Sequence, residues 1–426
     1  MPNLRIKISI FLNYFLFAIL LNSVGTVILQ VQHYFGVLES SAAILEGFKD
    51  FSIALASFTV ASFITRIGYR KSMLLALAIM ACTCFVIPLI KTFLAIKLLF
   101  AITGICFALI RVSVFGTIGL ITKDEKGHIS MMSFLESFFM IGILSGYFIF
   151  GSFIDDRNAS SGNWFQAYYV LSALSGIAFL WLLISPLNES ASKPEKSLKM
   201  KDEFAGMLKL IVLPIVVSFV ICAFFSVLLE QSIMSWLPTF NNKVLQLSAS
   251  VSVLIASILP ASYALGRFLA GIVMKKFNWF AVLVTCLLAA SCLVLIALPL
   301  AKSSDGPGIM SWFGIPVAAY TFPLIGFFLA PIYPAINSIV LSSLPKSRHG
   351  AMAGLIGLFS ALGGTLGSIV TGNIFQRYGG QTAFYFSLIP IAILITALYI
   401  FKKTGNRVSA SLDNKFLTVE YGVGNN

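Results

Sequence analysis

Apolar runs of about 20 residues recur along the whole chain, and they constrain its fold more than any other feature. A helix of that length crosses the hydrocarbon core of a bilayer. Twelve such runs are present, at 8–30, 42–64, 72–90, 93–121, 129–153, 167–187, 208–237, 248–274, 279–300, 312–342, 350–376 and 382–402. They are continuously apolar rather than alternating, which excludes a membrane β-barrel. The chain is therefore predicted to be an all-α membrane protein with twelve transmembrane helices.

The basic charge of the chain is distributed as a topology signal. The net charge is +13, and 11% of the residues are charged, against about 25% in an average soluble domain. With the N-terminus in the cytoplasm, 20 Lys and Arg residues fall on the cytoplasmic side and six on the other, while Lys49, Arg111 and Arg267 lie inside the runs. Cytoplasmic loops of membrane proteins are enriched in these residues. This bias predicts two cytoplasmic termini in a bacterial inner membrane, with lipid rather than nucleic acid as the partner.

The chain divides into two similar halves. The polar stretch 188–207 separates six runs from six, so we predict halves at 1–187 and 208–404, a cytoplasmic linker between them and a tail at 405–426. Run 5 has glycines at 142, 146 and 151 and run 11 has them at 363, 367 and 372, a constant offset of 221. Parallel six-helix repeats are a transporter architecture. The glycines are expected mainly to let helices approach closely.

Several motifs resemble the major facilitator superfamily. The segment ASFITRIGYRK, residues 61–71, resembles the family signature GxxxDRxGRR, with Thr65 in place of the acidic residue. The resemblance covers nearly the whole chain and implies two pseudo-symmetric six-helix bundles. It also implies a gating role for Arg66, Gly68 and Arg70. Run 5 has Tyr147 where drug antiporters of the family have a proline, which argues against a drug exporter.

Three stretches are similar to the fucose permease-like sugar:proton symporters: LNSVGTVILQVQHYF, EQSIMSWLPTF and FFLAPIYPAINS. Those symporters place one acid in helix 1 and one in helix 4 for sugar binding and proton coupling. Aligned on this chain, the two positions are Gly25 and Arg111. The resemblance therefore implies the fold but not that coupling mechanism.

Arg111 and Glu136 are the most prominent charges in the apolar runs. A charge at mid-bilayer costs about 2.5–3.5 kcal/mol on insertion scales, so such residues pair or face water. The two lie at similar depth on antiparallel neighbours, which predicts an ion pair. Either the pair holds helices 4 and 5 together, or Arg111 binds an anionic group in competition with Glu136. Arginine suits a carboxylate because its planar fork donates two hydrogen bonds.

Glu46, Lys49 and Asp50 form a second charged group in helix 2. Two carboxylates four residues apart share a helix face and repel each other, so one of them is a candidate proton carrier. Asp50 is the better candidate because it lies deeper. The alternative is a cluster near water at the outer end of the helix, neutralised by Lys49.

The remaining candidates are polar groups in helices 1, 7 and 10. For substrate binding these are Asn22, Gln231, Tyr333 and Asn337, and for proton coupling Glu230. Packing is the alternative for Tyr333 and Asn337, and prolines 331 and 334 predict a break beside them. Arg267, near the end of helix 8, is interpreted as structural.

These features predict a secondary active transporter, not an enzyme. No HExxH, GxSxG or GxxxxGK[ST] motif is present, so no catalytic residue, metal or cofactor is expected. We expect a monomer that takes up a small polar solute with protons, and Arg111 favours an anion such as a sugar acid, organic acid or carboxylate chelate. The alternatives are a neutral sugar:proton symporter, an exporter of a metabolite, siderophore or drug, and, more remotely, a membrane sensor.

Overall fold

The chain is helical throughout the residues that the computed structural model describes, which are 2–121, 125–158, 160–187, 189, 214–274, 276–302, 315–342 and 349–421. The first half has α1 (Pro2–Asn22), α2 (Val24–Phe35), α3 (Glu39–Ile67), α4 (Tyr69–Ile90), α5 (Phe93–Ile121), α6 (Glu125–Gly151) and α7 (Ala167–Leu183). The second half has α8 (Pro214–Lys243), α9 (Ala249–Ala256), α10 (Ile258–Val273), α11 (Trp279–Lys302), α12 (Val317–Thr321), α13 (Ile325–Leu329), α14 (Ile332–Ser342), α15 (His349–Tyr378), α16 (Gly380–Tyr385) and α17 (Leu388–Tyr421). Short 3-10 helices, Asn163–Gln166 and Phe322–Leu324, precede α7 and α13.

These helices form twelve membrane segments, as the apolar runs predict. Ten segments are long and apolar enough to cross a bilayer. The other two are α3, which carries three charged residues near its middle, and α6, whose apolar part is Phe138–Gly151. Of the predicted linker 188–207, only Glu189 belongs to the described residues.

Four of the predicted spans are interrupted rather than continuous, the twelfth of them at Phe386 and Ser387 between α16 and α17. The first is divided at Ser23 into α1 and α2, and the eighth at Ser257 into α9 and α10. The tenth consists of α12, α13 and α14, with a break at Ala330 and Pro331 where the prolines predict it. The backbone stays hydrogen-bonded at these points: the N–H groups of Ser23 and Ser257 donate to the carbonyl oxygens of Ile19 and Leu254, each at 3.1 Å.

The repeated glycines pack equivalent helices together in the two halves. A Cβ on Gly142 would meet the carbonyl oxygen of Phe15 in α1, and a Cβ on Gly363 would meet that of Phe224 in α8. In the next pair, a Cβ on Gly367 would meet the carbonyl oxygen of Leu228, while one on Gly146 would make ordinary contact with Ile19. Because both partner pairs are 209 residues apart, α8 is the counterpart of α1. The expected role of these glycines in close helix packing is confirmed.

The two halves are joined along the end of the molecule that carries the turn at Gly36. Helix α3 packs on α15, α2 packs on α8, and α6 packs on α9 and α10. At this end Lys243 Nζ lies 2.6 Å from Glu39 Oε1, and His33 and Asn242 are hydrogen-bonded at 3.0 Å. We call this end the joined end; the positive-inside bias predicts that it faces away from the cytoplasm.

Candidate functional site

A cavity of about 130 Å³, lined by both polar and apolar side chains, lies between the halves. Its lining comes from both: Asn22, Phe139, Met140 and Ile143 from the first half, and Glu230, Gln231, Met234, Pro260, Tyr263 and Arg267 from the second. We call it the central cavity. Three residues that the sequence singled out, Asn22, Glu230 and Gln231, therefore meet at one place. A pocket between two bundles with a few convergent polar groups is the usual form of a small-molecule site.

Two amides occupy equivalent positions of the repeat. Asn22 and Gln231 are 209 residues apart, the same offset that relates α1 to α8 through the glycine contacts. Asn22 Nδ2 donates to the carbonyl oxygen of Ala18 at 3.0 Å, and the residue lines the cavity. Gln231 Nε2 donates to Glu46 Oε1 at 2.6 Å. The cavity thus presents one amide from each half to a polar solute.

Glu46, Lys49 and Asp50 of α3 are deeply buried, and we call them the α3 charge cluster. Their residues are 0%, 5% and 8% exposed. Lys49 Nζ is paired with Glu46 Oε1 and lies 3.5 Å from Asp50 Oδ1, and it also donates to the carbonyl oxygen of Leu21 at 3.5 Å. The expected nearness of this cluster to water is therefore wrong, although Lys49 pairs with Glu46 as that alternative predicted. Helix α3 is covered here by α8 and α15 of the other half.

The α3 charge cluster is bonded across the boundary between the halves. Ser235 Oγ donates to Glu46 Oε2 at 3.0 Å, in addition to the bond from Gln231. Asp50 faces α15, because its Oδ2 lies 2.7 Å from the position of a Cβ on Gly364. Glu46 therefore connects the cluster to the wall of the central cavity through Gln231. Any movement that separates α3 from α8 must break these two hydrogen bonds.

Arg267 and Glu230 form an ion pair inside the central cavity. Arg267 Nη2 lies 3.6 Å from Glu230 Oε1, and the two side chains are 30% and 20% exposed. The Arg267 guanidinium lies 5.9 Å from the ring centroid of Tyr263, and Nη1 lies 4.0 Å from Met140 Sδ. The sequence interpretation placed Arg267 near the end of helix 8 as a structural residue. It lines the cavity together with Pro260 and Tyr263 of the same helix, α10.

Arg111 is exposed on α5 and lies outside the lining of the central cavity. Its guanidinium lies 5.7 Å from the ring centroid of Phe115, which in turn lies 6.1 Å from the ring centroid of Tyr14 in a tilted arrangement. Tyr14 in turn contacts Phe139 of the cavity wall, with ring centroids 5.2 Å apart. The side chain of Glu136 lies outside the described residues, so the Arg111–Glu136 pair stays a prediction.

Tyr333 and Asn337 lie on α14, away from the described lining of the central cavity. The Tyr333 hydroxyl shares a hydrogen bond of 2.9 Å with Ser360 Oγ of α15. Asn337 Oδ1 is buried and has no hydrogen-bond partner among the described residues. The contact of Tyr333 accords with packing, while Asn337 keeps a free acceptor.

The segment between α3 and α4 is held by a residue outside the family signature. Gly68 has φ +96°, and a Cβ there would collide with the Glu189 carboxylate. Glu189 accepts hydrogen bonds from the backbone N–H groups of Tyr69 at 3.1 Å and Arg70 at 2.7 Å. Arg70 Nη2 donates to the carbonyl oxygen of Leu183 at 2.6 Å. This network ties the start of α4 to the end of α7; the side chain of Arg66 is not among those described.

Glu189→Ala is expected to lower the free energy of unfolding by about 0.5–2 kcal/mol, as for loss of a helix N-cap. The carboxylate satisfies two N–H groups at the first turn of α4 and interacts favourably with the helix dipole. The measurement is the thermal midpoint of the purified protein in detergent. Glu189→Gln keeps an acceptor and should lose less; equal midpoints for all three proteins would contradict the capping role.

Sequence reasoning missed Arg267, Ser235 and Tyr263 as site residues. Arg267 carried a signal, because an intramembrane charge is expensive and functional by default. Ser235 and Tyr263 carried none, since hydroxyl groups are common in membrane helices and only the fold brings these two to Glu46 and to the cavity.

Two helical bundles around a central polar cavity are the architecture of a membrane transporter. Residues 10–325 match the model of the Major Facilitator Superfamily, and the chain belongs to that family. A "Protein TsgA homolog" of Buchnera aphidicola subsp. Baizongia pistaciae (strain Bp) is 23% identical over 404 residues, which cover 92% of this chain and 94% of that protein.

Solved structures share the fold at low sequence identity. The nucleoside transporter NupG superposes with a TM-score of 0.70 at 16% identity, covering 95% of this chain and 98% of that one. A D-xylose-proton symporter superposes with a TM-score of 0.73 at 14% identity, covering 93% and 97%. The chain is thus a transporter of the family rather than an enzyme, as predicted.

Proposed function

We propose that this protein is a proton-coupled secondary transporter that takes up a small polar solute through the central cavity. The observation that carries the proposal is the position of that cavity between the halves, with lining from both. A solute bound there would contact both bundles, so rocking one bundle against the other would expose it to each side in turn. The similarity to a D-xylose-proton symporter supports proton coupling.

The joined end gives the proposed state of the transporter. On the orientation that the charge bias predicts, both termini are cytoplasmic and the joined end is periplasmic. The structure then corresponds to a state closed to the outside of a bacterial inner membrane. Opening to the outside requires separation of α2 from α8 and of α3 from α15, which form the joined end.

The α3 charge cluster is the proposed proton site. With all three groups ionised it carries one net negative charge in a buried position, and a bound proton would cancel that charge. Asp50 is the proposed carrier, because Glu46 already accepts bonds from Lys49, Gln231 and Ser235. Because Glu46 is bonded across the halves, a change of charge in the cluster acts on the contact that must break for outward opening.

Asp50→Asn is expected to abolish accumulation driven by a pH gradient and to retain counterflow exchange. The amide cannot ionise, so the variant still alternates with bound solute but no longer moves a proton. The measurement is uptake into proteoliposomes of labelled glucose, gluconate, succinate and uridine, with and without an inward proton gradient. Asp155→Asn, in the turn after α6, is the matched control. Gradient-driven accumulation by Asp50→Asn equal to that of the control would rule out Asp50 as the carrier.

A neutral solute is the second candidate substrate. The repeat-related amides Asn22 and Gln231 suit hydroxyl groups, and the similarity to a nucleoside transporter adds nucleosides to the solutes worth testing. Export is the alternative direction. In the same uptake assay, an exporter would accumulate no solute under an inward proton gradient. It would accumulate solute when the proton gradient is reversed.

A further inference from the structure

Several N–H donors of the Arg267 guanidinium have no hydrogen-bond acceptor among the described residues of the central cavity. Its Nε is buried without a hydrogen-bond partner among the described residues, and its Nη1 reaches only a thioether sulfur at 4.0 Å. Glu230 approaches through a single oxygen at 3.6 Å. A guanidinium offers five N–H donors in a planar fork that matches a carboxylate or phosphate in bidentate fashion. Among the described residues, the fork of Arg267 therefore has few partners.

The backbone beneath Arg267 is held rigidly. A Cβ on the adjacent Gly266 would collide with the carbonyl oxygen of Phe327, so α10 and α13 touch at this point. Tyr263, one turn earlier, is 2% exposed, and its hydroxyl has no partner among the described residues. This support holds the guanidinium 5.9 Å from the centroid of the Tyr263 ring, and both residues line the cavity. Preorganised donors bind a charged group at a lower entropic cost.

The ion pair between Arg267 and Glu230 has a geometry that contributes little to stability. A buried ion pair stabilises a protein only when its geometry is good and its remaining donors are satisfied. In the part of the chain that the structure describes, the contact is single and long, one donor has no hydrogen-bond partner, and both side chains are partly exposed. The pair also links only α8 and α10, which belong to the same half.

We infer that Arg267 binds an anionic group of the transported solute. Glu230 pairs with Arg267 only when no solute is bound. The inference rests on the proposed function and adds the substrate class: a small molecule with a carboxylate or phosphate group and polar groups for Asn22 and Gln231. The anionic group displaces Glu230 from the Arg267 fork, and the Tyr263 hydroxyl donates a further hydrogen bond to it. Arg111, the first-half candidate, lies outside the described lining of this cavity.

The test is ligand-induced thermal stabilisation of the full-length protein in detergent. The anionic probes are gluconate, succinate and glucose 6-phosphate, and the neutral probes are glucose and uridine. A ligand that binds the folded protein raises its melting temperature by mass action. At least one anion is expected to stabilise the wild type, and the carboxylate and phosphate probes show which group the site takes.

Arg267→Gln should weaken anion binding by at least about tenfold, the loss expected for a charged hydrogen-bonding partner. Glu230→Gln should bind the same anion more tightly, because the competitor is gone. Arg377→Gln, exposed at the end of α15, is the matched control, and Arg267→Lys keeps the charge if the glutamine variant folds poorly. The lysine variant should fall between wild type and Arg267→Gln, because it lacks the fork.

Three results would overturn the inference: no response to any anion, an anion response that persists in Arg267→Gln, or a loss that follows Arg111→Gln instead. Weaker anion binding in Glu230→Gln would also contradict the competitor role. If neutral probes alone stabilise the protein and gradient-driven uptake persists, the anion site fails while the proposed transport function stands. Absence of transport for every probe, with anion binding intact, would instead count against the proposed function.

Discussion

Lys49→Met is expected to destabilise the protein by about 3–5 kcal/mol and to abolish transport, since it leaves buried carboxylates without their cation. Lys49 Nζ is paired with Glu46 and lies 3.5 Å from Asp50, and all three residues are less than a tenth exposed. Methionine has a similar length but no charge, so the effect comes from electrostatics rather than from a cavity. The measurements are the thermal midpoint in detergent and uptake into proteoliposomes.

Lys243→Met is the matched control for this prediction. Lys243 pairs with Glu39 at the joined end, but its side chain is 38% exposed. Exposed ion pairs contribute about 0–1 kcal/mol, so the control should change little. The double variant Glu46→Gln with Lys49→Met should recover part of the loss, because it removes one of the unpaired carboxylates. A Lys49→Met midpoint equal to that of the control would show that the α3 charge cluster is solvated.

Gly25→Val is expected to reduce transport by roughly tenfold or more while the folded protein remains stable. A Cβ on Gly25 of α2 would lie 2.8 Å from the carbonyl oxygen of Met234 and 3.1 Å from that of Ser235, both on α8. Backbone atoms cannot yield as a side chain can, and overpacking of this kind costs about 1–3 kcal/mol. Because α2 and α8 belong to different halves, the cost falls on closure of the joined end rather than on folding.

Gly367→Val tests that distinction. A Cβ on Gly367 would collide with the carbonyl oxygen of Leu228, but α15 and α8 belong to the same half. This variant should therefore lower the thermal midpoint, whereas Gly25→Val should lose transport with a nearly unchanged midpoint. If both variants lower the midpoint equally, the contact between the halves contributes to folding and does not open during transport.

The helices and their close contacts follow from local patterns in the sequence. Continuous apolar runs predict spans because a bilayer requires every backbone group to be bonded within the segment. The repeat of glycines predicts tight helix crossings, and Gly142 and Gly363 make them at equivalent carbonyls. Proline 331 predicts the break before α14. Each of these effects acts within one helix or between two helices whose pairing the internal repeat indicates. The sequence alone is therefore enough to predict them.

The composition of the site depends on contacts that no local pattern contains. The sequence already predicted that charged groups within the apolar runs pair with each other or face water. These groups are Glu46, Lys49, Asp50, Glu230 and Arg267. Glu46 meets Gln231 and Ser235 across 185 and 189 residues, and Arg267 of α10 pairs with Glu230 of α8. Hydrophobicity and periodicity determined which segments cross the bilayer. Only the packing of one half against the other decided which of their polar groups share a cavity, because that packing depends on the shapes of both surfaces together.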